Sequence, residues 1–207
     1  MENTNLVPML REEIVLAVNA MQHGWCTPEK ACDMAALIVQ NKAELCVEIG
    51  VYSGRSLIPQ AMALRSIGTG IVYGIDPWKK SHAAEGNCSE ADKTWWQSID
   101  LHAIHNYCMD RIWEHELDAH CVILRTASHR CVDLFRKGSI DILHIDGCHS
   151  EESSCRDVSL YLPKIRRNGH VWIDDTDWVT TTKAQGMLAE VCEKVSQVGN
   201  CALYRKR

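Results

Sequence analysis

No stretch of this 207-residue chain is apolar for long enough to span a bilayer. It does not open on a basic segment followed by an apolar one, and Met1-Glu2-Asn3-Thr4 carries no sign of a signal peptide. Long basic runs are missing as well. The net charge of −5 is spread along the chain, with Arg205, Lys206 and Arg207 as its basic tail, so neither nucleic acid nor a membrane is an expected partner. No two of the eleven cysteines are separated by only two residues, which argues against a zinc finger and a thioredoxin-like pair. Several, such as Cys46, Cys121 and Cys192, fall at apolar positions of expected strands or helices. They read as reduced thiols, and the expectation is a soluble, cytoplasmic, single-domain protein spanning 1–207.

The stretch that organises the chain is Leu45-Cys46-Val47-Glu48-Ile49-Gly50-Val51-Tyr52-Ser53-Gly54-Arg55-Ser56. A short continuous apolar run suits a strand covered on both faces, as in a parallel sheet. Gly50 permits a tight turn and a close approach to the backbone, and Gly54 stands where the next helix would begin. The pattern E-x-G-x-x-x-G lacks the third glycine of the pyrophosphate-cradling G-x-G-x-x-G, which disfavours a nicotinamide-dependent oxidoreductase. Glu48 at the strand's end could instead meet a positively charged ligand. The plainer alternative is a glycine-punctuated strand–helix turn with no ligand.

Around that stretch the chain reads as alternating helices and strands. Two helices occupy the first 43 residues: one over Pro8–Met21, one opened by Thr27-Pro28-Glu29 with Ala31, Met34, Ala35, Ile38 and Val39 buried. A helix over Ser56–Ser66 leads to a second strand, Ile71–Ile75, that ends in Asp76. A carboxylate there either accepts ribose hydroxyls or is simply solvated. The polar stretch 77–96 has little periodicity and lies at the carboxyl edge of the sheet, so it is read as an active-site cover loop, with Trp95 and Trp96 as an apolar wall or as core. A helix is expected from about Trp96 to His115, with His102 and His105 on one face, a pair that could hold a metal given a third ligand. Cys121–Leu124 is a third strand, followed by a short helix capped by Ser128 in which Cys131, Leu134 and Phe135 face inward.

The acidic residues gather later. A fourth strand, Ile140–Ile145, ends at Asp146-Gly147-Cys148-His149. A helix follows from Ser150 to about Leu162, and Arg166-Arg167-Asn168-Gly169 turns into a fifth strand, His170–Ile173, ending in Asp174-Asp175. Adjacent strand ends lie about 5 Å apart, so Asp146, Asp174 and Asp175 would converge. Carboxylates about 4 Å apart repel by several kcal/mol at an effective dielectric near 20. Either one is protonated or a cation sits among them, and oxygen ligands suit Mg²⁺, Ca²⁺ or Mn²⁺. The alternative is that these acids only cap helices and end strands. His149, three residues beyond Asp146, is placed to take a hydroxyl proton. Thr182-x-x-Gln185 reads as a capping box, with Ala184, Met187, Leu188, Val191, Cys192 and Val195 as a helical stripe; Gly199-Asn200 reads as a hairpin turn, and Asp177 and Trp178 could line an acceptor site.

E-x-G-x-x-x-G after an apolar run resembles the first motif of class I S-adenosylmethionine (SAM)-dependent methyltransferases. Asp-Gly-x-His after the fourth strand and Asp-Asp after the fifth, with Leu-Pro-Lys-Ile-Arg-Arg-Asn-Gly between, resemble the metal-dependent O-methyltransferases of small molecules such as macrolide and aminocoumarin sugars. The resemblance covers about Leu45 to Trp178. It implies an α/β, Rossmann-like doubly wound sheet of five parallel strands plus a C-terminal antiparallel hairpin, with helices on both faces. By it Glu48, Gly50, Tyr52, Gly54, Ser56, Asp76, Trp78, Ser128 and Asp146 would touch SAM. Asp146, Asp174 and Asp175 would hold Mg²⁺, and Asp146 and His149 would be catalytic, His149 as base. The expected activity is methyl transfer to a hydroxyl of a small molecule. A metal-independent methyltransferase and a non-catalytic SAM-binding module remain alternatives, and association into a homo-oligomer is left open.

Overall fold

The computed structural model describes residues 6–86 and 89–207; Met1–Thr4 and two positions, 87 and 88, of the 77–96 stretch read above lie outside them. Five strands run parallel: β1 (Leu45–Ile49), β2 (Ile71–Ile75), β3 (Cys121–Leu124), β4 (Ile140–Ile145) and β5 (Ile165–Ile173). β7 (Cys201–Lys206) pairs antiparallel to β5, and β6 (Cys192–Val198) antiparallel to β7. The order across the sheet is β3-β2-β1-β4-β5-β7-β6. The connections reverse direction between β1 and β4, so a crevice opens at their carboxyl ends, where a doubly wound sheet takes its ligand. The expected architecture is the one observed.

Period-two alternation supplies two cores, one on each face. Cys46, Val72, Ile142, Trp172 and Leu203 face one way, onto α1 (Pro8–Ala20), α2 (Pro28–Asn41), α3 (Leu57–Ile67) and α6 (Leu101–Glu114). Their neighbours Val47, Leu143, Val171 and Ala202 face the other way, onto α7 (Ser128–Cys131), α8 (Glu151–Tyr161) and α9 (Thr182–Val191). Burial on both faces is why these strands read as continuous apolar runs. No helix among the described residues is long and apolar enough to cross a membrane, and no disulfide joins two of the described cysteines.

The structure departs from expectation where local caps or the sheet override the pattern. The cover stretch contains α4 (Lys80–Ala83) and α5 (Glu90–Ser98), the latter started by Ser89, whose side chain accepts from the Asp92 N–H. The long helix expected to His115 is broken at Ile99, and Asp100 recaps α6 by accepting from the His102 and Ala103 N–H groups. Ser128 does not cap α7; Ala127 holds that position, and the Ser128 hydroxyl donates to Asp157 instead. Leu134 is exposed rather than inward, while Cys131 and Phe135 are buried. Residues 166–169 belong to β5, where the register slips between Ile140 and Ile142 and Asn168 has φ +61°. The last helix stops at Val191, because β7 draws Cys192 and Val195 into a hairpin strand. Thr182 makes no cap bond; Gln185 donates to the Thr176 carbonyl and the Thr181 hydroxyl.

Met34, 1 % exposed on the inward stripe of α2, tests this packing against Leu16, 71 % exposed on α1. Met34→Ala is expected to cost about 2–5 kcal/mol in denaturant unfolding, and Leu16→Ala to stay within about 0.5 kcal/mol.

Candidate active site

The crevice is shaped first by Gly50. Its N–H donates to the Ile75 carbonyl at 2.9 Å, and its φ of +87° turns the chain out of β1. A Cβ at this position would lie 2.0 Å from the Asp146 carbonyl oxygen, so the glycine admits the β4 exit rather than a ligand. Through that approach the Asp146 N–H reaches the Ile49 carbonyl at 2.8 Å, and the Asp174 N–H reaches the Ile145 carbonyl at 3.0 Å. Three strand exits are thereby stepped side by side. Gly54 has a different reason: a Cβ there would meet the Cys108 sulfur of α6 at 2.9 Å, so it serves helix packing.

Asp76 closes the turn after β1. One of its oxygens accepts from the Val51 and Tyr52 N–H groups, each at 3.0 Å, and the other accepts from the Trp78 N–H at 2.7 Å. Burial pushes the Asp76 carboxyl up from its ordinary value, and the three backbone donors oppose that rise. Those bonds hold Tyr52 (φ +49°) and Trp78 (φ +45°) in the left-handed region that side chains disfavour. Trp78 is buried, and its indole donates to the Tyr52 carbonyl at 2.9 Å, bracing the turn from beneath. Arg55 ties the segment before α2 over the loop by donating to the Cys26 and Met21 carbonyls, both at 2.7 Å.

Beneath the crevice runs a chain of buried charges. Glu48 is fully buried, accepts from the Ser56 hydroxyl at 2.8 Å, and pairs with His144 Nδ1 at 3.1 Å. His144 Nε2 meets Asp174 Oδ2 at 2.7 Å, and the same oxygen takes the ammonium of Lys30. Burial opposes charge on His144, but the two carboxylates outweigh it and hold the imidazole well above its usual range. Asp174, penalised by burial, is nonetheless held well below the carboxylate range by His144 and Lys30. Lys30 is raised, since Asp146 and Asp174 overcome its own burial.

Asp146, His149 and Asp175 form a second group, one ligand atom of each lying within 4.8 Å of the others. His149 Nε2 is 3.0 Å from Asp175 Oδ2, the Asn200 amide donates to the other Asp175 oxygen at 2.6 Å, and the Trp178 ring lies 5.0 Å from the imidazole. Burial and the neighbouring Asp174 raise the Asp146 carboxyl well above its ordinary value, and burial likewise raises Asp175. No described residue donates a hydrogen bond to the Asp146 carboxylate. Asp174 does not join this group. Asp174 lines the same cavity and raises the Asp146 carboxyl, but its Oδ2 is taken by Lys30 and His144.

One cavity of about 890 Å³ is lined by Gly50, Tyr52, Ser56, Asp76, Ser128, Asp146, His149, Asp174 and Asp175. Glu48, Gly54 and Trp78 are not on its wall. Glu48 meets a positive charge, but it is that of His144. His102 and His105 enter no three-residue ligand group among the described residues; the His105 ring packs edge-on against Trp78. The 77–96 stretch lines the cavity through Pro77, Lys79 and Glu85 among others, and its Trp95 and Trp96 pack around Tyr52 and Trp25. It is held there by Glu85, which accepts from both terminal nitrogens of Arg156 at 3.0 and 3.2 Å.

The lining or supporting residues not singled out from sequence include Trp25, Lys30, His144, Arg156 and Asp157. A histidine inside an otherwise apolar strand was the one available signal among them. Asp157 is buried beside Ser128, and burial pushes its carboxyl up to about 6. An acid raised in the folded state stabilises the fold below its unfolded value and loses that contribution as pH climbs to the folded value. Asp157→Asn is therefore expected to flatten a decline in unfolding free energy on the order of 3 kcal/mol between about pH 4 and pH 6, read by urea unfolding across that range.

With the geometry in place, comparison with known proteins is informative. A family model described as a methyltransferase domain matches residues 47–176, more than half the chain. The fold is similar to that of the O-methyltransferase NovP (TM-score 0.69, 16 % identity, 94 % of this chain and 88 % of that one). It is also similar to the methyltransferase PaMTH1 of Podospora anserina, solved with bound SAH, the demethylated product of SAM (TM-score 0.68, 11 % identity, 100 % and 91 %). A third similar structure is TomG of Streptomyces achromogenes, an O-methyltransferase of tomaymycin synthesis solved with SAM (TM-score 0.65, 14 % identity, 95 % and 89 %). A search of curated proteins found no match.

Proposed function

The chain belongs to the methyltransferase-domain family and is a class I SAM-dependent methyltransferase, and we propose from that premise that it methylates a hydroxyl of a small molecule. The observation that carries the reading is the sharing of one cavity by the Asp76 turn and the Asp146–His149–Asp175 group. The Asp76 oxygen that accepts only from Trp78 keeps a lone pair for a ribose hydroxyl. Gly50, Tyr52, Ser56, Ser128 and Asp146 line the remaining space for the cofactor. Bound there, SAM supplies a sulfonium-activated methyl group to the acceptor oxygen.

The residues' task is to orient that oxygen and take its proton. Donating its Nε2 proton to Asp175, the His149 ring presents Nδ1 as the basic nitrogen. Asp146 and Asp175 offer the carboxylate oxygens that Mg²⁺ prefers, while the imidazole suits softer ions and is left for the proton. Bound Mg²⁺ would polarise the hydroxyl and stabilise its conjugate base. Trp25, Trp95, Trp96 and Trp178 give the acceptor apolar walls.

Isothermal calorimetry should register binding of SAM and SAH, weakened about tenfold or more by Asp76→Ala; silence with both ligands would sink the cofactor reading. With labelled SAM and a panel of hydroxylated sugars and phenols, His149→Ala should lower kcat by about 10²-fold or more while SAH affinity holds. Unchanged kcat would remove His149 from the reaction.

A further inference from the structure

Lys30 is the one buried lysine among the described residues, 8 % exposed, and it lines the cavity beside the acidic residues. A lysine is seldom buried without a partner, because desolvating its charge is costly. Its position is built in. Thr27 Oγ1 accepts the Lys30 N–H at 3.2 Å at the start of α2, and Arg55 clamps the Cys26 carbonyl just upstream. From there the side chain reaches an aspartate 144 residues later in the chain. Glu48, His144, Asp174 and Lys30 then make one buried series in which His144 and Lys30 share an oxygen of Asp174. Asp146, the next acid along the wall, lies within the field of the same ammonium.

We propose that Lys30 is the resident cation of this site: its ammonium withholds Asp174 from the metal-ligand set and lowers the site's affinity for divalent ions. The inference rests on the reading of Asp146 and Asp175 as the metal's carboxylate donors. With Lys30 in place, a divalent ion finds two carboxylates and a nearby positive charge. Without it, Asp174 keeps His144 as its one partner, and the ion finds a third carboxylate and one positive charge fewer. Asp174 is thus a ligand held in reserve by an ion pair.

The test is Mn²⁺ binding to the full chain, followed by the electron paramagnetic resonance of free Mn²⁺, with Mg²⁺ as competitor. Lys30→Gln should tighten Mn²⁺ binding by about tenfold or more. Adding Asp174→Asn should abolish the gain, and Lys30→Arg should bind as wild type does. Equal or weaker binding by Lys30→Gln, or a gain that survives Asp174→Asn, overturns the proposal. If Lys30→Gln is too unstable to titrate, Mn²⁺ must raise its melting temperature more than that of wild type; no such rescue overturns the proposal too. SAH calorimetry on wild type separates this outcome from failure of the cofactor reading, since it does not depend on Lys30's role toward metal.

Discussion

The site is organised around a buried ion pair chain that joins four elements far apart in sequence. Glu48 lies in β1, His144 in β4, Asp174 follows β5, and Lys30 comes from α2. Breaking such a buried pair by deleting one partner costs about 3–5 kcal/mol, because the other charge is left without compensation. The chain therefore fixes the relative placement of the three central strand exits and of the N-terminal helix that covers them. It also decides which acids face the cavity with their charge unspent. Asp174 is committed to two cationic partners and Asp175 to His149 and Asn200, whereas no described residue donates to the Asp146 carboxylate.

A second constraint is steric. The stepped exits of β1, β4 and β5 need the Asp146 backbone to pass where a Cβ of residue 50 would be. The glycine thus acts on the site indirectly, by letting Asp146 arrive. The left-handed turn at Tyr52 is then stabilised by Asp76, which uses three of its lone pairs on backbone donors before any ligand is present. This preorganisation suits a binding loop, since the cost of ordering it has been met during folding.

The cover segment shows how local chemistry and tertiary contacts divide the work. Ser89 and Asp100 are helix caps legible in the sequence in hindsight, but the apolar period through Trp95, Trp96 and Ile99 runs across the break between α5 and α6. Only the docking of Trp95 and Trp96 onto Tyr52 and Trp25, with the Glu85–Arg156 pair, decides that this segment lines the cavity.

The sequence alone was sufficient for the parallel sheet, its two helical faces and the terminal hairpin, because strands buried on both faces must be continuous apolar runs and glycines must mark their exits. It was sufficient also to bring Asp76, Asp146, His149 and Asp175 to one edge, since residues at the carboxyl ends of adjacent parallel strands have nowhere else to go. Partner choice was another matter. That Glu48 pairs with His144, that Gly50 makes room for a backbone, that Trp78 braces a turn, and that Lys30 claims Asp174 depend on side chains meeting across 26 to 144 residues of intervening chain. Periodicity records which face a residue occupies and carries no information about which charge waits there; only the assembled fold supplies that.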